Sequence, residues 1–256
     1  MVKIIQRFLT SSPTRRIAII ALAVLFALGI TTAILFRHAI GHSIALHEGE
    51  SAIADHTVTP IDLNDAIANY GMSASDFDQS FRWQAIPTDF QVFDHVPFQI
   101  DGAMFLWGSR FANAGWAEQI TNISVNQKFQ TLYLLHCAFH ISPWRTPVYR
   151  VVFHYEDDAV APVTNTMLYG EDILDWYTGR VRRKQHIIGP RSHHSRLAWV
   201  GGAFSPDNKS PLILCLTAIN NPVPDLKVTS IDLDSCKGES AACIFGMTFG
   251  KAGLMK

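Results

Sequence analysis

The chain is short of charge. Only 17% of its 256 residues are Asp, Glu, Lys or Arg, and 21 bases against 22 acids leave a formal net charge of −1. So even a balance gives no electrostatic reason to bind nucleic acid, and that class of partner is set aside. Cysteine is scarce as well: four in a chain of this length do not make a disulfide framework. The familiar catalytic signatures are missing. Gly108-Ser109 and Gly238-Glu239-Ser240 lack the pattern of a nucleophile elbow. Gly201-Gly202 and Gly246 are not followed by the Lys and helix of a phosphate loop. There is no internal repeat, no low-complexity tract and no convincing amphipathic helix of ordinary length. The chain is therefore not expected to be an enzyme.

One long apolar run is present, and it organises everything else. Ile17 to Phe36 reads IAIIALAVLFALGITTAILF, without a charged residue. As a helix it spans about 30 Å, the thickness of a bilayer's hydrocarbon core. A lone run cannot close into a barrel, so a helix is the form that satisfies its backbone in lipid. Lys3, Arg7, Arg15 and Arg16 precede it with no acid among them, which keeps the N-terminus in the cytoplasm. A cleaved signal peptide is disfavoured, because its apolar region is roughly 7–15 residues. The expected order is a basic cytoplasmic tail at 1–16, a transmembrane helix at 17–36, a juxtamembrane stalk at 37–59 and an extracytoplasmic domain at 60–252. Membrane is thus an expected partner.

The stalk carries His38, His42, His47 and His56. Their spacing suits either a metal site or polar headgroup-level residues, and the lack of accompanying Cys or acids favours the latter. Asp76, Phe77 and Asp78 read as loop. Beyond residue 80, short apolar runs alternate with turn residues. Val96–Ile100 and Ala103–Trp107 flank Asp101-Gly102, a hairpin signal. Phe129–Cys137 reads as a long apolar strand. Tyr149, Val151, Phe153 and Tyr155 recur with the period of two that marks a sheet with one face buried. Strands are also expected at Val160–Leu168, Arg196–Val200, Leu212–Ile219, Thr229–Asp234 and Ala242–Phe249. About ten strands with frequent turns predict a mainly β domain, an antiparallel jelly-roll β-sandwich.

Several short strings carry a resemblance. His154-Tyr155-Glu156-Asp157-Asp158 is followed by Leu168-Tyr169-Gly170-Glu171-Asp172-Ile173 and by Asp175-Trp176-Tyr177. With Asp94-His95-Val96-Pro97-Phe98, Leu132-Tyr133-Leu134-Leu135-His136, Ala198-Trp199 and Asn220-Asn221-Pro222, they resemble a bacterial β-sandwich of the galactose-binding-like kind. The resemblance implies carbohydrate binding by a domain that commonly sits behind a membrane anchor.

The residues of Tyr169–Tyr177 allow three readings. Rings and carboxylates together bind a sugar; hard oxygen ligands hold a structural Ca²⁺; or one helical turn buries Ile173 and Trp176 and leaves the acids in water. For the sugar reading the candidates are Trp144, Asp172, Asp175, Trp176 and Tyr177. Trp116 is a second aromatic among polar neighbours. His193-His194, with His136 or His140, is a candidate metal cluster. Arg180, Arg182, Arg183, Lys184 and Arg191 form a cationic loop, either a solvated face or a surface for anionic polysaccharide, a lipid headgroup or an acidic partner. Cys236 and Cys243 are candidates for a disulfide in an oxidising compartment, while Cys137 and Cys215 read as buried free thiols. The expected function is a non-catalytic module for carbohydrate or cell-envelope glycan. The alternative is docking onto another envelope protein.

Overall fold

The computed structural model describes residues 58–79, 82–177, 189–203, 205–207 and 210–251. The basic tail, the apolar run, the stalk before Val58, and Arg180, Arg182, Arg183 and Lys184 lie outside the described residues. Among the described residues no helix is long and apolar enough to cross a membrane.

The domain is mainly β and sandwich-like, and every pairing between its named strands is antiparallel. Its strands are β1 (Thr59–Pro60), β2 (Gly71–Ser73), β3 (Asp89–Phe93), β4 (Val96–Ile100), β5 (Gly102–Phe105), β6 (Gln119–Gln127), β7 (Thr131–Phe139), β8 (Pro147–Tyr155), β9 (Val163–Leu168), β10 (Ser195–Gly201), β11 (Leu212–Asn220), β12 (Val228–Ser235) and β13 (Ala241–Gly250). One short helix, α1 (Asn64–Tyr70), follows β1 and buries Ile67. Seven strands form a large sheet in the order β10-β11-β7-β13-β5-β2, with β1 paired to β13. Four make a second sheet, β6-β12-β8-β9, and β3-β4 is a separate hairpin. The expected mainly β, antiparallel domain is thus present, with thirteen strands among the described residues in sheets of unequal size.

The layers explain the sequence pattern. Alternate residues of β7 point to opposite faces. Leu132 and Leu134 pack with Tyr149, Val151 and Phe153 of β8 and with Ile231 and Leu233 of β12. Tyr133, Leu135 and Cys137 pack with Val96, Phe98 and Ile100 of β4. The large sheet is covered on both faces, so β7 and β13 are buried at every position and read as continuous apolar runs. β8 faces the core with one side only, and its pattern alternates.

Four expectations change. Val96–Ile100 and the strand after Gly102 do not form a hairpin, because β4 pairs with β3 and β5 with β2 and β13. The hairpin turn is Asp94-His95, whose φ values of 49° and 66° suit the tight turn that right-twisted strands require. Gly102 is needed for close approach instead: a Cβ there would lie 2.3 Å from the Met72 carbonyl oxygen of β2. Phe77 is core, not loop; it lies in a 3₁₀ segment, Ala74–Gln79, with its ring 5.3 Å from that of Trp83. α1, β3 and β6 were not expected at all.

Candidate functional site

Of the residues singled out by sequence, Trp144, Asp172, Arg191 and His194 gather at the end of the large sheet where β7 finishes. The β7–β8 loop, the segment after β9 and residues 189–194 are tied by backbone hydrogen bonds. Arg145 N–H donates to the Tyr169 carbonyl (2.8 Å), Arg191 N–H to that of Gly170 (3.0 Å) and Ser192 N–H to that of Glu171 (3.0 Å).

Trp144 is the exposed member of this corner, at 44%. Its Nε1–H donates to Glu171 Oε1 at 3.1 Å. The Arg191 guanidinium carbon lies 4.3 Å from the ring centroid, a cation–π contact. Gly170, at φ 83°, lets the ring come close: a Cβ there would sit 2.4 Å from indole Cε3. Arg145 Nε stands 3.8 Å from Glu171 Oε1. Ile141, in the same loop, is 61% exposed. The corner thus presents a braced indole and an aliphatic side chain beside Arg145 and Arg191.

Beneath it, Asp172 is buried and ends a polar network. Its Oδ2 accepts from Leu168 N–H (2.9 Å), while Oδ1 meets His194 Nε2 (3.0 Å) and accepts from Ser195 Oγ (3.3 Å). Thr217 Oγ1 donates to the Asp172 carbonyl at 2.9 Å. That leaves the threonine oxygen to accept from His136 Nε2 at 2.9 Å, so Nδ1 accepts from the Tyr149 hydroxyl at 2.7 Å. Both rings are kept neutral by burial: His136 is lowered to about 3, though the Asp172 backbone opposes this, and the Tyr149 phenol is pushed well above its usual value. The threads run from half-buried His194 through both sheets' facing strands.

Asp175 is separate. Its Oδ1 accepts from Tyr177 N–H at 3.3 Å. Burial raises its carboxyl to about 6, against hydrogen bonds from the Tyr177 and His140 backbones and the nearby His140 ring. His140 Nε2 lies 3.5 Å from Glu239 Oε2. Trp176 is buried, as the reading of one helical turn has it: its ring packs 5.1 Å from Trp83 and 4.8 Å from Phe139. Tyr177 is half-buried against the same cluster. Trp116 stacks on Phe105 and Phe111, each at 5.0 Å.

The three carboxylates therefore diverge, Glu171 to Trp144, Asp172 to His194 and Asp175 to Tyr177. Among the described residues no group of three or more His, Cys, Asp or Glu converges as metal ligands. His194 turns to Asp172 and His136 to Tyr149 and Thr217, so they do not share a site. The disulfide expected between Cys236 and Cys243 is not formed; both thiols are free. Cys243 points into the sheet core, whereas Cys236 follows β12 with its N–H on the Val148 carbonyl.

Sequence reasoning missed a groove of about 550 Å³ between α1 and β6, lined by Asp62, Asp65, Asn69, Tyr70, Asn122 and Gln127 among others. Its signal was hidden because neither α1 nor β6 shows a regular apolar period.

Comparison with known proteins places the chain in no described family: no family model, curated protein or solved structure matches it. The sandwich-like architecture accords with the resemblance at the level of fold, and no match ties the chain to the galactose-binding-like group itself.

Proposed function

We propose that the protein is a membrane-anchored, extracytoplasmic and non-catalytic binding module whose ligand is an anionic glycan of the cell envelope. The observation that carries the reading is Trp144, an indole fixed by Glu171 and Gly170 yet 44% exposed. A fixed ring loses little entropy on binding, and the Arg191 guanidinium over it supplies positive charge for an acidic sugar. Arg145 and Arg191 flank it, and in sequence the cationic loop of Arg180, Arg182, Arg183 and Lys184 leads into the same corner. Asp172 supports the site from below rather than touches the ligand, and Asp175 stands apart from it. The non-catalytic reading is supported by these two acids being buried with their oxygens engaged, since hydrolytic carboxylates must face a substrate about 5–10 Å apart. The anchor rests on the apolar run at 17–36.

The test is binding of acidic and neutral glycans to the full chain in detergent or nanodiscs. Trp144→Ala should weaken binding to an acidic glycan by tenfold or more, and Tyr70→Ala, in the groove beside α1, should leave it unchanged. No binding to any glycan at millimolar concentration overturns the reading, and loss with Tyr70→Ala alone moves the site to the groove. A second reading, docking onto an acidic envelope protein, is favoured by the exposure of Ile141 beside Trp and Arg side chains, the residue types that dominate protein interfaces. Salt-sensitive capture of one envelope protein, lost in Trp144→Ala, would select it.

A further inference from the structure

We propose that the groove between α1 and β6 takes a short extended segment of a basic partner protein, which adds a strand to the free edge of β6. Among the described residues β6 ends the second sheet, pairs with β12 alone and shares no main-chain hydrogen bond with any other element. The groove, of about 550 Å³, runs along that edge. Residues 121–125 and Gln127 line it in succession, whereas a strand met face-on presents every second residue. Ile123 is buried, so what it offers the groove is main chain. The opposite wall is α1, with Asp65, Ala66 and Asn69 on it and Asp62 just before it. A strand edge that faces a helix across a cleft is suited to strand addition. Main-chain hydrogen bonds hold the incoming segment, and its alternate side chains meet the walls.

The sequence of β6 agrees. Edge strands are commonly blunted by Lys, Pro or bulges, and β6 has no Pro and no charged residue. Its guards are the two bulges at Asn122 and Asn126. They leave 123–125 as the regular stretch, so an added strand pairs over a few residues and cannot grow into a long ladder. Charge names the partner. Asp62 and Asp65 are exposed, and among the described residues no Lys or Arg lines the groove. Asn69 bonds the Asp65 carbonyl, and the Asp65 carboxylate has no partner among the described residues. A segment with Lys or Arg on the side facing α1 is therefore attracted, and an acidic one repelled. The Trp144 corner has the opposite sign, with Arg145 and Arg191 beside the ring, so the two surfaces take different partners.

The test uses the full chain in nanodiscs of zwitterionic lipid and two capped, fluorescent hexapeptides read by anisotropy. One alternates Lys with Val and the other Glu with Val. The Lys peptide should bind at least tenfold more tightly, with a preference that shrinks as salt rises. Asp65→Lys, a change at an exposed position, should weaken the Lys peptide tenfold or more. Strand addition has its own signature. Residues of one parity turn their N–H groups to the same edge of a strand, so N-methylation of either the Lys or the Val residues should abolish binding, and methylation of the other set should leave it. Equal loss with both sets, or no loss with either, overturns the proposal. So does the absence of Lys-peptide binding at millimolar concentration. A neutral saccharide that binds where neither peptide does, and is lost in Asp65→Lys, makes the groove a sugar site and overturns it as well.

Discussion

At the scale of single residues, the clearest consequences lie in two buried titratable groups with opposite signs. Asp175 is raised from 3.8 to about 6 by burial, so the folded chain holds a proton that the unfolded chain has released. Its contribution to stability therefore falls as pH rises from about 4 through about 6. His136 is lowered from 6.5 to about 3, so the unfolded chain takes up a proton first and stability falls as pH drops below about 6.5. The two slopes oppose each other between about pH 4 and pH 6. Asp175→Asn should remove one of them. Urea midpoints for that variant should equal or exceed those of the parent at about pH 8, by up to about 3 kcal/mol, with no such gain at about pH 4. A variant that loses stability equally at both values would show that the carboxylate is not penalised by its site. Thr217→Val tests the network below Trp144. It removes the hydroxyl that links His136 Nε2 to the Asp172 carbonyl while keeping the volume, and should cost about 1–3 kcal/mol by the same measurement.

At the scale of elements, positive-φ residues decide where strands turn and bend. The Asp94-His95 turn holds two non-glycine residues in the left-handed region, and Arg196 Nη1 stands 2.6 Å from Asp94 Oδ2. His95→Gly keeps that ion pair and relieves the backbone. It should stabilise the chain by about 0.5–1 kcal/mol, read as a raised thermal midpoint. β6 bends twice. Its register against β12 gains one residue between Ile120 and Ile123 and another between Ser124 and Gln127, with Asn122 at φ 60° and Asn126 at φ 53°. Asn122 N–H donates to Asp232 Oδ1 at 2.7 Å, which fixes the first bulge. Asn122→Val should cost about 1–2 kcal/mol, because a β-branched residue resists a left-handed backbone, and Asn122→Gly should be nearly neutral. These bulges are why Ile120 and Ile123, the buried residues of β6, are spaced by three and do not look like a strand.

At the scale of the whole molecule, the layering sets what is stable and what is available. Central strands covered on both faces form the core, and the exposed chemistry is pushed to loops at the end of β7. If the apolar run anchors the chain as proposed, protease added outside intact cells should digest the β domain, and high-salt washing should not release it from membranes. Digestion only after lysis would place the domain on the other side.

What the sequence determined alone is the strand inventory where apolar periods are clean. β7, β8, β11, β12 and β13 are legible because burial on one face gives alternation and burial on both gives an unbroken apolar run. Trp144, Asp172 and Arg191 stand out by residue type, but that they meet at one corner is a tertiary fact. Only the tertiary structure decided which strand pairs with which, since Asp101-Gly102 passes between sheets and Asp94-His95 makes the hairpin. It also decided which candidates are buried. Trp176 and Asp172 are residue types that a ligand site would use, but Asp172 faces inward because His194, Ser195 and Thr217 close over it, and Trp176 because Trp83 and Phe139 pack on it, long-range contacts that no local pattern encodes.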